Sequence, residues 1–193
     1  MAMQPDPIED RIGDKPAPGR LKVVQAFLNS ANPKEGREDL ISPTYLRDWL
    51  AAFDLLPRTS RVSEDDLRQA ISVRDALFRM LEKHDAGEQC REAAEVLNRS
   101  VRSAQMSVSF GPEGRAHIQS LAPSVDGALG QIIAIVIAAM TDRTWDHLKI
   151  CRSDTCAWAF YDRSKNHSGT WCDSTSCGNV AKARAYRARH AHT

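Results

Sequence analysis

Cysteine is scarce in this sequence until its last quarter. Five of the 193 residues are cysteine, and only Cys90 precedes position 151. Long apolar runs are missing too. A membrane-spanning helix needs about 20 such residues, whereas the most apolar stretch, Ala128 to Met140, is shorter, contains Gln131 and reads as a buried core helix. The opening MAMQPDPIEDRIGDKPAPGR has no apolar centre of the kind a signal peptide carries. Acidic and proline-rich, residues 1–20 read as a disordered lead-in. Nothing in these patterns points to export or anchoring, so a reducing cytoplasm is the expected setting. Disulfides do not persist there, and paired cysteines point to metal or redox chemistry. Catalytic signatures are also lacking: no P-loop, no Gly-x-Ser-x-Gly, no His-Glu-x-x-His and no prominent carboxylate pair. An enzyme is not expected. His84, His117 and His147 have no partner at metal-ligand spacing, and Cys90 reads as a core thiol.

The net charge of +1 hides an asymmetry. From Arg143 onward nine Lys/Arg face four Asp, a net +5, which leaves −4 for the residues before it. That division fits a C-terminal piece that meets a polyanion. It equally fits a small domain with a solvated surface.

Helical signals dominate the first part. LKVVQAFLNS from Leu21 reads as a short amphipathic helix. Ser42 followed by Pro43 is an N-cap with proline at the first helical position, opening a helix through Leu46, Trp49, Leu50 and Phe53. Ser63 with Asp66 resembles a capping box, and Gly87 should stop the helix it opens. A further helix from Cys90 to about Ala104 should face Ala94, Leu97 and Val101 inward. The period then changes to two: Met106, Val108 and Phe110 alternate with serines, GPEG turns the chain, and Ala116 and Ile118 follow, a hairpin near 106–121. The apolar helix runs from near Ser124 to about Asp142. The fold class expected is mainly α with a small β-hairpin: an α-rich domain over 21–142 and a small four-cysteine module over 143–193 ending in a basic helix.

The remaining four cysteines carry the chemistry. Cys151 and Cys156 enclose four residues, as do Cys172 and Cys177, and fifteen residues separate the pairs. Two local pairs joined by a spacer able to fold back are what a tetrahedral structural zinc requires. Four cysteines leave no open position, so one structural zinc per chain is expected and a catalytic one is not. A segment of this size also struggles to fold on its own core, and zinc is worth about 10–16 kcal/mol in such peptides. Trp145, Trp158, Trp171, Phe160 and Tyr161 could gather around the metal.

Cys-x4-Cys, then Trp-Cys-x4-Cys-Gly-Asn, then a Lys/Arg-rich helix ending Tyr-Arg-x-Arg resembles the CGNR zinc finger, from about Leu148 to His190 and including FYDRSKN and AKARAYRAR. Upstream, AFLNS, LRDWL, VRDALFRML and the hairpin before the apolar helix resemble the ABATE domain that often accompanies it. The resemblance implies a stress-response transcription regulator. One position departs from it: the motif's arginine is Val180 here, which leaves the four ligands untouched and opens the question of that arginine's contact.

The final helix, NVAKARAYRARHA, places Lys182 and Arg189 on one face and Arg184 and Arg187 on another, with Arg163 and Lys165 in the spacer as further donors. Charge that wraps a helix suits phosphates on both walls of a groove, and it also suits a solvated helix. Arg74 falls within the apolar stripe of its helix, as a salt-bridged arginine would, or it lines a pocket for a small anionic ligand with Asn29. The sequence thus reads as a zinc-containing DNA-binding regulator whose N-terminal domain senses a ligand or forms a homodimer. The competing reading is a zinc-stapled protein-interaction module without nucleic acid.

Overall fold

The structure, a computed structural model, describes residues 11–190, without the side chains of Asp85, Arg184, Ala185, Ala188 and Arg189. Its helices are Leu21–Leu28 (α1), Pro43–Ala52 (α2), Glu64–Ala86 (α3), Arg91–Ser103 (α4), Val125–Thr141 (α5) and Cys177–His190 (α6). Three two-stranded antiparallel hairpins interrupt them: Ala31–Asn32 (β1) with Arg37–Glu38 (β2), Met106–Phe110 (β3) with Ala116–Ser120 (β4), and Leu148–Ile150 (β5) with Ala159–Tyr161 (β6). Among the described residues no helix is long and apolar enough to cross a membrane.

Local chemistry sets the helix ends. Ser42 Oγ accepts the Tyr45 N–H at 3.4 Å ahead of Pro43. At α3 the capping box closes with aspartate: Ser63 Oγ accepts the Asp66 N–H at 3.2 Å and the Asp66 carboxylate accepts the Ser63 N–H at 2.7 Å. Gly87, at φ 69°, ends α3 in the left-handed conformation that glycine adopts most cheaply.

The core gathers α1, α3 and α5 with α2 and α4 against them. Phe27, Leu28, Leu77, Leu81, Leu129 and Ile132 are fully buried, and the Phe27 and Trp49 rings meet at 5.2 Å. α4 buries Ala93, Leu97 and Ser100; of the face expected inward, Leu97 is buried, Val101 packs half-buried against the core and Ala94 is half-buried. Gly130 lets the end of α4 and the end of β4 approach α5, because a Cβ there would lie 2.6 Å from Ala104 Cβ and 3.1 Å from Ser120 Cβ.

The β5–β6 hairpin is a partition between two cores. Its register pairs Leu148 with Tyr161, Lys149 with Phe160 and Ile150 with Ala159. Alternation therefore turns Leu148, Ala159 and Tyr161 into the helical core while Phe160 faces the cysteines. Trp145 joins the helical core as well, so of the aromatics expected around the metal only Trp158, Trp171 and Phe160 are there.

Of the disordered lead-in expected over 1–20, residues 1–10 lie outside the described residues, and residues 11–20 are held in place. They form a strap between the two cores. Gln25, fully buried, donates to the Ile12 carbonyl at 2.9 Å and accepts the Ala17 N–H at 2.7 Å. The Tyr161 N–H donates to Lys15 O at 3.1 Å, and Lys15 Nζ donates to Trp171 O at 2.7 Å. Polar composition here serves backbone groups that remote side chains satisfy.

Candidate metal centre and basic helix

Each cysteine pair is held by its own turn. Cys151 extends β5 by donating its N–H to Trp158 O at 2.9 Å, and the Cys156 N–H closes back on Ser153 O at 3.2 Å. In the second pair Asp173 organises the turn into α6, accepting the Thr175 and Ser176 N–H groups at 2.7 and 3.0 Å. Hydrogen bonds led by Ser176 hold its carboxyl down at about 2. Cys177 is itself the first residue of α6.

The four Sγ atoms all lie within 4.8 Å of one another, and Cys156–Cys172 and Cys172–Cys177 are each separated by 3.7 Å. A tetrahedral zinc with bonds of about 2.3 Å requires sulfur–sulfur edges of about 3.8 Å. None of the cysteines is in a disulfide. Four thiolates this close repel one another. Hydrogen bonding from Cys156, then Cys172, holds the Cys151 thiol far below its ordinary range. The bond to Cys151 pushes Cys156 up to about 12, and Cys172 is raised by the same neighbour and by Cys156. A divalent cation among them removes that conflict. The cysteines are therefore placed to hold one metal ion, and one structural zinc fits the geometry.

The spacer is stiffened by a pair that the sequence pattern does not reveal. Lys149 and Asp162 are both buried, with Nζ 3.0 Å from Oδ2, and Lys149 Nζ also donates to the His167 carbonyl. Burial would raise the Asp162 pKa, but N–H groups of Ser164 at 2.9 Å and Gly169 at 2.7 Å, with Lys149, hold it well below the carboxylate range. Gly169 is required there, since a Cβ would come within 2.6 Å of Asp162 Oδ1.

Past Gly178 most described side chains of α6 are exposed, including Asn179, Val180, Lys182, Ala183, Tyr186, Arg187 and His190. The helix contains no acid. Lys182 and Arg187 are exposed, while the side chains of Arg184 and Arg189 lie outside the described residues. Lys165 is exposed, and Arg163 donates to the Pro16 carbonyl of the strap at 2.9 Å. Tyr186, 58% exposed, stacks on His190 at 4.1 Å, a flat aromatic surface among the cations that charge counting along the helix does not pick out. Trp171 instead belongs to the metal core. Val180 is 43% exposed at the rim of a cleft and does not pack into the zinc core as an apolar residue there would be expected to.

Asn29 and Arg74 do not form the anion pocket. Asn29 is fully buried, its amide engaged by the backbone of Arg11 and Ala159. Arg74 makes a two-pronged ion pair with Glu38 at 2.6 and 2.7 Å and reaches Asp75 at 3.0 Å. Burial would lower its pKa, but Glu38 and then Asp75 raise it. Its charge is answered within the protein, and Asn29 does not line the cavity beside it. The residue types suit an anion, but Glu38, 36 positions from Arg74, already plays that part.

Residues 147–190 match the model of the CGNR zinc finger, and residues 21–143 match that of ABATE, described as a "putative stress-induced transcription regulator". No curated protein matches the chain. Since the second match alone spans more than half of the sequence, the chain belongs to the ABATE family, with a CGNR zinc finger following the ABATE domain.

Proposed function

We propose that the protein is a zinc-containing DNA-binding transcription regulator acting in the cytoplasm without catalysis, with α6 as its nucleic-acid element. The observation that carries this reading is the double role of Cys177, which is one of the four clustered cysteines and also the first residue of α6. The metal thereby fixes where the basic helix starts and how it leaves the module. A helix that is polar on nearly all sides buries little of its own surface, and it gains most from a partner laid along it. The missing acids make that partner an anion, and Tyr186 offers a face on which a base can stack. Lys182, Arg184, Arg187 and Arg189 would contact phosphates, with Lys165 assisting from the spacer between the cysteine pairs. The competing reading, a protein-interaction module stapled by zinc, predicts no such charge dependence.

Binding of zinc-loaded protein to a library of genomic duplexes tests the proposal. Retention of duplex that weakens steeply with salt supports it. No retention at low salt, from protein that still carries its zinc, rejects it in favour of the protein-interaction reading.

A further inference from the structure

The β3–β4 hairpin turns its apolar side to water. Its register sets Val108 directly opposite Ile118, and Phe110 lies two residues beyond Val108, so these three share one face. Phe110 is 77% exposed, Val108 61% and Ile118 37%, and Leu121 just past β4 is 59% exposed. The alternating serines Ser107 and Ser109 are the half-buried ones. This inverts the usual arrangement, in which the apolar side of an alternating strand packs inward. Neither strand carries a lysine, arginine, acid or proline, the usual guards of an exposed strand.

Beside this face lies a groove of about 620 Å³. Ile118 stands on one wall, and Ile135, Ala138 and Ala139 of α5 stand on the other. The charges that line it, Arg20 and Asp142, are of opposite sign.

We propose that two copies of this chain meet here, the Phe110 ring of each seated in the groove of the other against Ile118 and Ala138. A two-fold interface needs one surface that is complementary to itself. This surface has the projection and the hollow side by side. Its electrical neutrality removes any like-charge barrier between copies, and it offers an acidic or basic partner nothing to read. The area is sufficient as well. The four exposed side chains present roughly 400 Å² per copy, within the range of patches that mark interaction sites. Doubled, and with the groove walls added, the buried surface passes the roughly 1,000 Å² expected of a specific interface. The inference goes beyond the nucleic-acid reading, and its test involves no DNA.

Sedimentation equilibrium on the full zinc-loaded chain reads it directly. Wild type should be a dimer at micromolar concentration. Phe110→Glu and Ala138→Lys should each be monomeric. Both positions are exposed, so melting temperature and zinc content should stay at wild-type values. Mixing the two variants should restore a dimer of one chain each. The carboxylate introduced in one copy then meets the ammonium introduced in the other, while the second contact remains native. A monomeric wild type overturns the proposal, as does a Phe110→Glu protein that stays dimeric. A mixture that stays monomeric overturns the seating of Phe110 in the groove.

Discussion

Asn29 and Ala159, 130 positions apart, are joined by two hydrogen bonds: the Ala159 N–H donates to Asn29 Oδ1 at 2.7 Å, and Asn29 Nδ2 donates to the Ala159 carbonyl at 2.9 Å. The buried amide acts as one more rung on the edge of β6. It fastens the hairpin that precedes the second cysteine pair to the end of α1, and a further bond from Nδ2 to Arg11 O at 2.8 Å ties in the strap. Replacing Asn29 with alanine leaves the Ala159 N–H and the Arg11 carbonyl buried without that partner. At about 1–3 kcal/mol for each orphaned group, Asn29→Ala should destabilise the protein by about 2–6 kcal/mol. Urea unfolding measures it, and a loss below about 0.5 kcal/mol would mean the junction is not held by this residue.

Metal loss should reach beyond the zinc finger. Leu148, Ala159 and Tyr161 belong to the helical core although they lie between or beside the cysteine pairs. Cys172→Ser should abolish stoichiometric zinc, measured by elemental analysis against one zinc per wild-type chain. It should also lower the melting temperature followed by far-ultraviolet dichroism, instead of removing only the signal of the C-terminal part. An unchanged main transition would show that the two cores fold independently.

The Lys149–Asp162 pair sets a pH dependence. Folding lowers the Asp162 pKa, so its contribution is complete above the ordinary carboxylate value near about 4 and fades as pH falls below it. Asp162→Asn leaves the buried Lys149 ammonium without its counter-charge, and should cost about 3 kcal/mol at neutral pH. The gap between wild type and variant should then narrow as pH drops below about 4. A gap that does not change over that range would mean the carboxylate's charge is irrelevant to stability.

Val180→Arg should be tolerated by the fold, since the position is exposed at a cleft rim. Zinc content and melting temperature are expected to match wild type. If the added guanidinium reaches a phosphate, the slope of log affinity against log salt should steepen by about 0.9. Loss of zinc or of folding in this variant would place Val180 in the metal core after all.

What can be read from the sequence alone is local. Ser42, Ser63 and Gly87 act on backbone groups within a few residues, so their patterns announce the helix ends they set. The cysteine pairs are equally local, two ligands to a turn, and their spacing suffices. Long-range partners are hidden. Nothing near Arg74 indicates that Glu38 answers its charge, and nothing near Asn29 points to Ala159. The strap over 11–20 escapes because proline and charge suggest disorder wherever satisfying groups such as Gln25 cannot be seen. Proximity in sequence assigns Trp145 and Tyr161 to the metal, whereas strand alternation sends Tyr161 to the opposite side of β6 from Phe160.

The central claim, that zinc fixes a basic helix which binds DNA, is tested most directly by duplex affinity across a salt series, for zinc-loaded protein, zinc-stripped protein and Lys182→Ala. Four phosphate contacts predict a slope of about −3 to −4 for the loaded protein, with Lys182→Ala shallower by about 0.9 on every sequence tried. Zinc-stripped protein should lose most of its affinity at any salt. Equal affinity with and without zinc, or binding indifferent to salt, would contradict the account.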